Sequence, residues 1–446
     1  MKILCVSLGC DKNLVDTEMM LGLLNRDGHT FTDDENEADI IVVNTCCFIN
    51  DAKEESVNTI LEMAELKKTG KCKALIVTGC MAQRYKQEIL DEIPEVDGIL
   101  GTSTYDEISN VLKQALGGEE HISCFHDLNA LPEVETERVI TTGGHYAFLK
   151  IAEGCDKHCT YCIIPSLRGN YRSVPMERLL KEANQLADQG VRELILVAQE
   201  TTLYGVDLYG KKMLPELLHK LAEIPGIYWI RIQYCYPEEI TDELIEAIRT
   251  EEKVCHYLDV PIQHASDRIL KRMGRRTNQA QLREIIGKLR AAVPDIALRT
   301  TMIAGFPGET QEDHEEVMRF VDEMEFERLG VFTYSAEEDT PAATFPEQIP
   351  EEVKEERRDE IMELQQEIAF EKSESMVGRV LDVMIEGKVA DEAAYVGRTY
   401  MDAPNVDGYI FVNSGELFMS GDFVRVKVTG SNDYDLIGEV YDESAE

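Results

Sequence analysis

The chain has 446 residues, 43% of them hydrophobic and 29% charged, which is typical of an ordinary folded protein of about three domains. Its 45 basic and 85 acidic side chains give a formal charge of −40, a balance that opposes phosphate binding and argues against a nucleic-acid-binding surface. The apolar start is too short for a signal peptide, and no stretch approaches the roughly eighteen apolar residues of a membrane span. We therefore expect a cytoplasmic protein without membrane contact, whose twelve cysteines serve metal binding or catalysis rather than disulfides.

The first 120 residues repeat a unit of one strand, one turn and one helix. Apolar runs predict four strands, at residues 2–8, 40–43, 75–77 and 98–100. Helical patterns of apolar residues lie at 14–24 and 106–116. Strands that alternate with helices form a doubly wound parallel sheet, in which ligands bind beyond the carboxyl ends of the strands. We therefore predict an α/β domain over residues 1–120 with its binding site at that edge.

Three cysteines of this domain stand where predicted strands end, namely Cys10, Cys46 and Cys80. Lone cysteines are most often small core side chains, and we interpret five others in that way: Cys5, Cys72, Cys124, Cys235 and Cys255. Three cysteines that converge on one rim of a sheet instead predict a metal site. Cys47 adjoins Cys46, and because neighbouring strand residues point to opposite faces, only one of the two should reach the site. We choose Cys46.

A second group of cysteines has the spacing Cys-x3-Cys-x2-Cys, at Cys155, Cys159 and Cys162. Structural zinc takes four nitrogen or sulfur ligands, and no fourth cysteine follows at a short spacing. A 4Fe-4S cluster held by three cysteines leaves one iron open to bind and reduce a small molecule. The alternatives are a zinc ion completed by His158 and a chance group of core cysteines, which the flanking glycine and proline disfavour because they indicate a loop.

The central cysteine loop belongs to a second series of strands and helices over residues 140–372. Six strands are predicted, at residues 145–151, 194–197, 229–233, 257–260, 298–303 and 328–333. Six such repeats predict a partial parallel (β/α)6 barrel, whose chemistry lies on the loops after the strands. Polar residues or glycines at the other strand ends are candidates for holding an amino acid or a ribose: Gln199, Glu200, Thr201, Gln263, His264 and Gly305. Each of them, taken alone, is equally well explained as part of a loop or a helix cap.

The C-terminal part changes to short strands separated by glycines. A charged helix at residues 350–374 is predicted as a solvated connection. Five strands follow, at residues 379–385, 394–399, 409–412, 423–428 and 436–440, and predict a small all-β barrel of the OB type over residues 375–442. Five basic and fourteen acidic residues between Met376 and Glu446 give this part a charge of −9. We therefore expect a basic protein partner and no direct binding of nucleic acid.

Together the three parts resemble one family along nearly the whole chain. The Cys-x3-Cys-x2-Cys loop after the first strand of a partial barrel is similar to the radical S-adenosylmethionine superfamily. A three-cysteine domain before it and a small TRAM barrel behind it resemble the methylthiotransferases. The segment Gly9 to Glu18, GCDKNLVDTE, is similar to the branch that modifies ribosomal protein S-twelve, the RimO type. Asp11 departs from the Pro or Ser expected there, and it lies outside the predicted ligand set.

This resemblance implies an enzyme with two 4Fe-4S clusters and S-adenosylmethionine as cofactors. The cysteines of the central loop would hold the cluster whose free iron binds S-adenosylmethionine, and the three cysteines of the first domain would hold an auxiliary cluster that carries sulfur. The resemblance further implies that an aspartate β-carbon of S-twelve, free or on the ribosomal small subunit, receives a methylthio group. A second S-adenosylmethionine would supply the methyl group, and a separate donor the electron. No catalytic side chain is implied beyond the cluster ligands.

Two other functions remain as alternatives. The same chemistry on a transfer RNA adenosine, as in sister branches of the family, conflicts with the charge of −9 on the small barrel. A non-enzymatic iron–sulfur or zinc protein that assists ribosome assembly would use the cysteines as a scaffold, without cleaving S-adenosylmethionine.

Overall fold

The computed structural model describes residues 1–132, 134 and 137–442. The strands of the first unit are β1 (Lys2–Ser7), β2 (Thr30–Phe31), β3 (Ile40–Thr45), β4 (Ala74–Gly79), β5 (Gly98–Leu100) and β6 (Ile122–Cys124). Its helices are α1 (Asp11–Arg26), α2 (Asn50–Thr69), α3 (Cys80–Tyr85), α4 (Gln87–Glu92) and α5 (Ile108–Leu116). The six strands form one sheet in the order β2-β1-β3-β4-β5-β6, and all its pairs are parallel.

The predicted doubly wound parallel sheet is confirmed, and it holds two strands more than the sequence indicated. Strands β2 and β6 are two and three residues long and partly exposed at the sheet edges, so they lack the apolar run that reveals a central strand. Strands β3 and β4 are buried along their whole length. Side chains of α2, α3 and α4 pack against one face of the sheet and those of α1 and α5 against the other, which explains this burial.

The second unit is an open sheet of six parallel strands. In chain order its strands are β7 (Tyr146–Lys150), β8 (Ala152–Glu153), β9 (Arg172–Ser173), β10 (Glu193–Val197), β11 (Trp229–Ile232), β12 (Val254–Asp259), β13 (Ala297–Ala304) and β14 (Arg328–Thr333). Strands β8 and β9 pair only with each other, as a short hairpin around the central cysteine loop. The other six follow the order β14-β13-β12-β11-β10-β7, and the predicted partial (β/α)6 barrel is confirmed.

Helices cover the outer face of this sheet. In chain order the helices of this unit are α6 (Ile164–Arg168), α7 (Met176–Asp188), α8 (Val206–Tyr209), α9 (Leu214–Ala222), α10 (Asp242–Thr250), α11 (Asp267–Arg272), α12 (Gln279–Ala292) and α13 (Gln311–Met324). Alternate strand residues such as Leu194 and Ile230 share one apolar core with these helices. Short 3-10 turns lie at Glu35–Glu37, Tyr105–Glu107, Pro237–Glu239 and Pro341–Thr344.

The connecting helix α14 (Glu351–Ser375) is not simply solvated, as the sequence had suggested. Ile361 and Ile368 are buried in the same core as Phe320 of α13 and the strands of the second unit. A narrow apolar stripe among many charged residues therefore docks the helix onto the partial barrel. Among the described residues, no helix has the length and apolar character needed to span a membrane.

The third unit is a small closed barrel of five strands. They are β15 (Val380–Lys388), β16 (Ala394–Arg398), β17 (Ile410–Asn413), β18 (Phe423–Asn432) and β19 (Asp435–Val440). The barrel closes in the order β15-β16-β17-β19-β18, and only the pair β17 and β19 is parallel. This confirms the predicted small all-β barrel.

A segment of the small barrel, the base loop (residues 398–407), covers the amino-terminal end of the second sheet. Arg231 donates to the carbonyl of Tyr400 at 2.6 Å, and the Tyr257 hydroxyl donates to Asp407 at 2.9 Å. Arg299 also pairs with Asp407, at 3.3 Å. In parallel barrels this end contributes stability and the opposite end carries the chemistry. The small barrel therefore seals the base and leaves the carboxyl ends of the strands for a site.

Helix α1 of the first unit packs against the inner face of the partial barrel. Val15 shares a buried cluster with Phe148 of β7 and with Ile195 and Val197 of β10. The inner face of an open sheet would otherwise expose these apolar side chains to water. The first two units therefore meet along α1, whose first residue directly follows Cys10.

Candidate active site

Backbone contacts hold the central cysteine loop on both sides. The Cys155 amide donates to the Gly169 carbonyl at 3.1 Å, and the Thr160 amide donates to the Met273 carbonyl at 2.9 Å. Gly154 has a φ of +76°, and a side chain there would collide with the backbone that faces it. Only glycine meets both requirements, so the residue before Cys155 is fixed by the shape of the loop.

The cysteines of this loop are withdrawn from water. Cys155 and Cys159 are 6% and 5% exposed. Burial, with a smaller contribution from the neighbouring Cys159, raises the pKa of Cys155 to about 11 and that of Cys162 to about 12. Thiols in such surroundings ionise when a metal replaces the proton. His158 is exposed, which does not support the alternative of a zinc ion completed by this residue.

The structure also gathers the three cysteines of the first unit. A Cβ atom on Gly9 would lie 2.6 Å from Cβ and 2.9 Å from Sγ of Cys46, so the chain entering Cys10 runs directly against Cys46. Burial raises the pKa of Cys46 to about 12, with further contributions from Cys80 and Cys10. The Sγ atom of Cys80 lies 4.0 Å from Oδ1 of Asn13, one helical turn after Cys10. The three strand ends thus bring their thiols to one place.

Cys46 and Cys47 lie in different surroundings. Ser56 of α2 holds the backbone of Cys46 on both sides, since its hydroxyl accepts from the Cys46 amide at 3.0 Å and donates to the Cys46 carbonyl at 2.8 Å. Cys47 is fully buried in an apolar cluster with Met81 and Ile163. This arrangement agrees with the choice of Cys46, whose role as a ligand stays a prediction.

A single metal ion and a 4Fe-4S cluster require different spacings of the cysteine sulfurs. Within the part of the chain that the structure describes, no three His, Cys, Asp or Glu side chains are placed to hold one metal ion. A zinc ion with sulfur ligands at about 2.3 Å would draw them to about 4 Å from one another. In a 4Fe-4S cluster each thiolate binds a different iron, and the sulfurs stand farther apart. The binding of a 4Fe-4S cluster by either group of cysteines stays a prediction.

Buried charges connect the two cysteine loops. Arg168, at the end of α6, pairs with Asp16 at 2.9 Å and with Glu153 at 3.0 Å. Its other terminal nitrogen donates to the side-chain oxygen of Asn13. Lys150 pairs with the same two carboxylates, with Glu153 at 2.7 Å. All five side chains are buried, and we call this group the buried bridge.

A second polar contact joins the units beside the bridge. The Lys12 ammonium lies 3.4 Å from the ring centre of Tyr234, whose hydroxyl donates to Asp11 at 3.3 Å. The Tyr234 amide donates to Asp259 at 3.0 Å. The residue that departs from the family pattern, Asp11, is thus engaged with the second unit. The interior between the two cysteine loops is polar as well as buried, which suits a charged or polar ligand.

Gln199 and Glu200, two of the predicted cofactor contacts, each have a buried side-chain oxygen without a hydrogen-bond partner among the described residues. Gln199 donates to Glu153 at 3.3 Å, and its side-chain oxygen has no partner among the described residues. Glu200 is fully buried, and one of its oxygens accepts from the Thr202 amide at 3.2 Å. Its other oxygen lies 3.7 Å from the Lys157 ammonium, and burial raises the pKa of Glu200 to about 7. Both side chains can therefore receive a polar ligand at the carboxyl end of β10.

Thr201 and His264 use their polar atoms within the protein. The Thr201 hydroxyl donates to the Gln233 carbonyl at 2.7 Å. Nδ1 of His264 accepts from the Ser266 amide at 2.9 Å. The other ring nitrogen of His264, Nε2, has no hydrogen-bond partner among the described residues and lies 3.5 Å from the Glu309 carboxylate. A contact of either side chain with a cofactor stays a prediction.

Gln263 and Gly305 share a left-handed backbone, with φ of +73° at each. The Gln263 amide donates to the Thr301 carbonyl at 2.9 Å, and the Gly305 amide donates to the Glu309 carboxylate at 2.8 Å. A side chain on Gly305 would collide with Lys354 of α14. The space beside Gly305 is therefore occupied by this chain, and the predicted cofactor contacts at both positions stay predictions.

Known proteins resemble this chain over its full length. A protein of Lachnoclostridium phytofermentans named ribosomal protein uS12 methylthiotransferase RimO is 68% identical over 438 residues, which cover 98% of this chain and 99% of that protein. Proteins with the same name in Acetivibrio thermocellus and Clostridioides difficile are 52% and 49% identical. These two alignments span 100% of this chain and 99% and 100% of those proteins. The chain belongs to the RimO family of methylthiotransferases.

Membership of the RimO family confirms the predicted resemblance and the prediction of an enzyme. Residues 2–101 match the uncharacterized protein family UPF0004, residues 149–321 match the radical SAM superfamily, and residues 377–440 match the TRAM domain. The first match contains the three strand-end cysteines of the first unit, and the second contains the central cysteine loop.

Solved structures share the fold of this RimO-family chain. The radical S-adenosylmethionine methyltransferase TsrM from Kitasatospora setae, solved with cobalamin and a 4Fe-4S cluster, has a TM-score of 0.53 at 12% identity and covers 76% of each chain. The cobalamin-dependent radical enzyme OxsB, solved with S-adenosylmethionine, has a TM-score of 0.51 at 15% identity. It covers 82% of this chain and 56% of its own. At these identities the likeness concerns the fold alone.

Sequence analysis of this RimO-family chain missed the side chains that support the cysteines. Ser56, Asn13 and Arg168 are polar residues on helices, and such residues usually face solvent. Arg168 also stands in the last turn of α6, where a basic side chain is favoured by the helix dipole alone. These residues lie near the cysteines in sequence, but this proximity does not show whether a polar side chain is buried against a cysteine loop or exposed to solvent.

Proposed function

We propose that this chain transfers a methylthio group to the β-carbon of an aspartate in ribosomal protein uS12. The observation that carries the proposal is the 68% identity over 98% of the chain with a protein of that name. Two largely buried groups of three cysteines, joined by the buried bridge, support it. An unactivated C–H bond offers no handle for an acid or a base, so cofactors must supply the chemistry and the protein must position them.

In this proposal the cysteines of the central loop hold a 4Fe-4S cluster with one open iron for S-adenosylmethionine. Cys10, Cys46 and Cys80 hold an auxiliary 4Fe-4S cluster. When bound, these groups supply the radical that removes a hydrogen from the substrate and the sulfur and methyl that replace it. S-adenosylmethionine contacts are proposed for Gln199, Glu200, Thr201, Gln263, His264 and Gly305. The chain itself limits access of water, since four of the six proposed cysteine ligands are buried.

We further propose functional domains at residues 1–120, 140–372 and 375–442. The first carries the auxiliary site, the second the central loop and the third the substrate-facing barrel. The matches to three families at residues 2–101, 149–321 and 377–440 support this division. An electron donor outside the chain and a cytoplasmic location complete the proposal.

The surface charge of the small barrel supports a basic protein as substrate. Arg398, one of its five basic residues, is fully buried between Glu193 and Glu386 and contributes no surface charge. The acidic side chains of Asp391, Glu392 and Glu416 are exposed. An acidic surface attracts a basic ribosomal protein, on or off the small subunit, and repels the phosphates of RNA. Two acidic residues counted from the sequence, Glu443 and Glu446, lie outside the described residues.

Mass spectrometry of uS12 tests the proposal directly. In a strain that lacks this gene, uS12 should lose one methylthio increment on an aspartate, and the gene should restore it. An unchanged uS12 mass would overturn the proposal. Loss of methylthioadenosine from transfer RNA in that strain would instead establish the RNA-directed alternative.

Anaerobic reconstitution tests the cofactors. We expect about eight irons per chain, four for each cluster, and dithionite-dependent release of 5′-deoxyadenosine. Cys155→Ala should halve the iron and abolish cleavage of S-adenosylmethionine. Cys10→Ala should also halve the iron, but it should keep cleavage and lose sulfur transfer. Two zinc ions and no cleavage would identify a ribosome-assembly scaffold instead.

A further inference from the structure

Arg168 is a buried cation that the proposed chemistry leaves without a task. It is 1% exposed and its partners are the two carboxylates and the amide of the buried bridge. Removing a guanidinium from water costs several kcal/mol, and the ion pairs that it then forms often do no more than offset this cost. Stability alone therefore does not explain the burial of Arg168, which lies between the two cysteine loops.

On one side Arg168 acts through Asn13, which holds the first group of cysteines. The Asn13 side-chain amide donates to the carbonyls of Leu8 and Thr45, both at 3.0 Å. These carbonyls lie in the segments that enter Cys10 and Cys46. The side-chain oxygen of Asn13 accepts from Arg168 and lies 4.0 Å from Sγ of Cys80. One amide thus touches all three ligand-bearing loops, and Arg168 fixes its orientation.

On the other side Arg168 holds both ends of the central loop. It is six residues beyond Cys162, and its partner Glu153 is two residues before Cys155. The ion pair of 3.0 Å between them closes the segment that carries these cysteines. A single guanidinium therefore links the two cysteine loops. Its planar group of N–H donors has a fixed geometry and can hold both loops in one relative position.

The charge of Arg168 also lies close to the first group of cysteines. The Asn13 side-chain oxygen that accepts from Arg168 is the atom that lies 4.0 Å from Sγ of Cys80. The guanidinium therefore stands one hydrogen bond behind this contact with the Cys80 sulfur. Hydrogen bonds and positive charge beside cluster sulfurs stabilise the reduced cluster and raise its reduction potential.

We infer that Arg168, with Asn13, is a positioning residue for the auxiliary cluster: it fixes that cluster relative to the central loop and raises its reduction potential through Cys80. The inference rests on the proposed function, because it requires an iron–sulfur cluster at Cys10, Cys46 and Cys80. Arg168 does not touch the reacting carbon in this role. Its effect is on where the auxiliary cluster lies and how readily that cluster accepts an electron.

The test uses full-length protein in which all three cysteines of the central loop are changed to Ala, so that only the auxiliary cluster can form. After anaerobic reconstitution, the midpoint potential of that cluster is measured by redox titration followed by electron paramagnetic resonance. We expect Arg168→Gln to lower the midpoint potential and to shift the spectrum. Arg168→Lys keeps the positive charge but loses the planar set of N–H donors, so it should lower the midpoint potential less than Arg168→Gln does.

Arg138 provides a matched control. It is also buried and also joins the first two units, pairing with Glu18 of α1 at 3.0 Å and with Glu182 at 2.8 Å. Its interactions are with carboxylates and the Phe148 carbonyl, and not with a cysteine loop. Arg138→Gln should therefore destabilise the contact between the units without moving the midpoint potential.

The outcomes separate this inference from the proposed function. If the three-Ala parent binds no iron, the auxiliary cluster of the proposed function is refuted. If the parent binds about four irons but neither Arg168 variant moves the potential, the inference alone is overturned. An equal drop in Arg138→Gln would also overturn it, because the effect would then belong to the contact between the units. Should Arg168→Gln fail to fold by circular dichroism, the Arg168→Lys measurement decides.

Discussion

Glu193 of the partial barrel and Arg398 of the small barrel form an ion pair of 2.6 Å in which both side chains are fully buried. Glu193 also pairs with Arg231 at 2.7 Å, and Arg398 also pairs with Glu386 at 2.6 Å. These alternating charges cross the boundary between the two units. Because both side chains of the central pair are withdrawn from water, each charge is stabilised only by its protein partners.

Replacement of Arg398 should destabilise the whole protein. Arg398→Ala leaves Glu193 short of one buried partner and Glu386 without its guanidinium, so the free energy of unfolding should fall by about 3–5 kcal/mol. Urea unfolding followed by circular dichroism measures the change. Lys427→Ala, on an exposed side chain of the same barrel, should change stability by less than about 0.5 kcal/mol. Equal effects of the two substitutions would contradict this account of the boundary.

The same ion pairs should make the protein sensitive to acid. Burial alone raises the pKa of Glu193, but the guanidinium groups of Arg398 and Arg231 outweigh it and hold the pKa below its ordinary value of 4.5. A carboxyl whose folded-state pKa is lowered stabilises the fold above its unfolded-state value, and this contribution is lost as pH falls through the folded-state value. The stability of the wild type should therefore drop below pH 4.5 more steeply than that of Glu193→Gln. Parallel curves of unfolding free energy against pH would argue that Glu193 does not carry the effect.

Adjacent cysteines offer a sharp test of the auxiliary site. Cys46→Ala should remove about half of the reconstituted iron, because it deletes one of three thiolate ligands. Cys47→Ala removes a side chain that is buried among apolar neighbours, so it should keep the iron and lose a modest amount of stability. Iron analysis and thermal unfolding of both variants measure the two effects. The reverse result would transfer the ligand role to Cys47.

Charge reversal on the small barrel tests its proposed contact with a basic substrate. Changing both Asp391 and Glu392 to Lys should raise the KM for uS12 by about threefold to tenfold at low salt, with a smaller effect at high salt. The cleavage of S-adenosylmethionine in the absence of uS12 should not change. Asp242→Lys, on a side chain of α10 that is 85% exposed, is the control for net charge. A KM that rises equally in the control would show that the total charge, and not the barrel surface, guides the substrate.

Much of the fold was predictable because its strands are apolar and buried. The six strands of the partial barrel lie within three residues of their predicted limits, since runs such as Glu193–Val197 are buried throughout. The first cysteine group followed from the rule that ligands bind at the carboxyl ends of parallel strands, and the central group followed from its Cys-x3-Cys-x2-Cys spacing. The choice between Cys46 and Cys47 used the alternation of strand side chains, and it stays a prediction.

The supporting residues could not be predicted, and α1 shows why. Its residues Lys12, Asn13, Asp16 and Glu18 are buried, although their composition is that of a solvated helix face. Their partners come from far along the chain, as when Asp16 meets Arg168, 152 residues later. A local pattern of residues carries no information about such a pairing, because the polar face is satisfied by another domain and not by water. The apolar stripe of α14 is visible in the sequence, but the surface against which it docks is formed by distant segments of the chain.

The base loop has a consequence for the order in which the protein is made. Domains fold in turn as the chain leaves the ribosome, so the first two units can form before residues 398–407 exist. All six predicted cluster ligands lie within the first 162 residues. Until the final seventy or so residues emerge, Glu193, Arg231 and Arg299 have no partners from the small barrel, and the base stands open to water. We therefore expect formation of the proposed iron sites and final closure of the enzyme to be separable events during synthesis, the second marked by the pairing of Arg398 with Glu193.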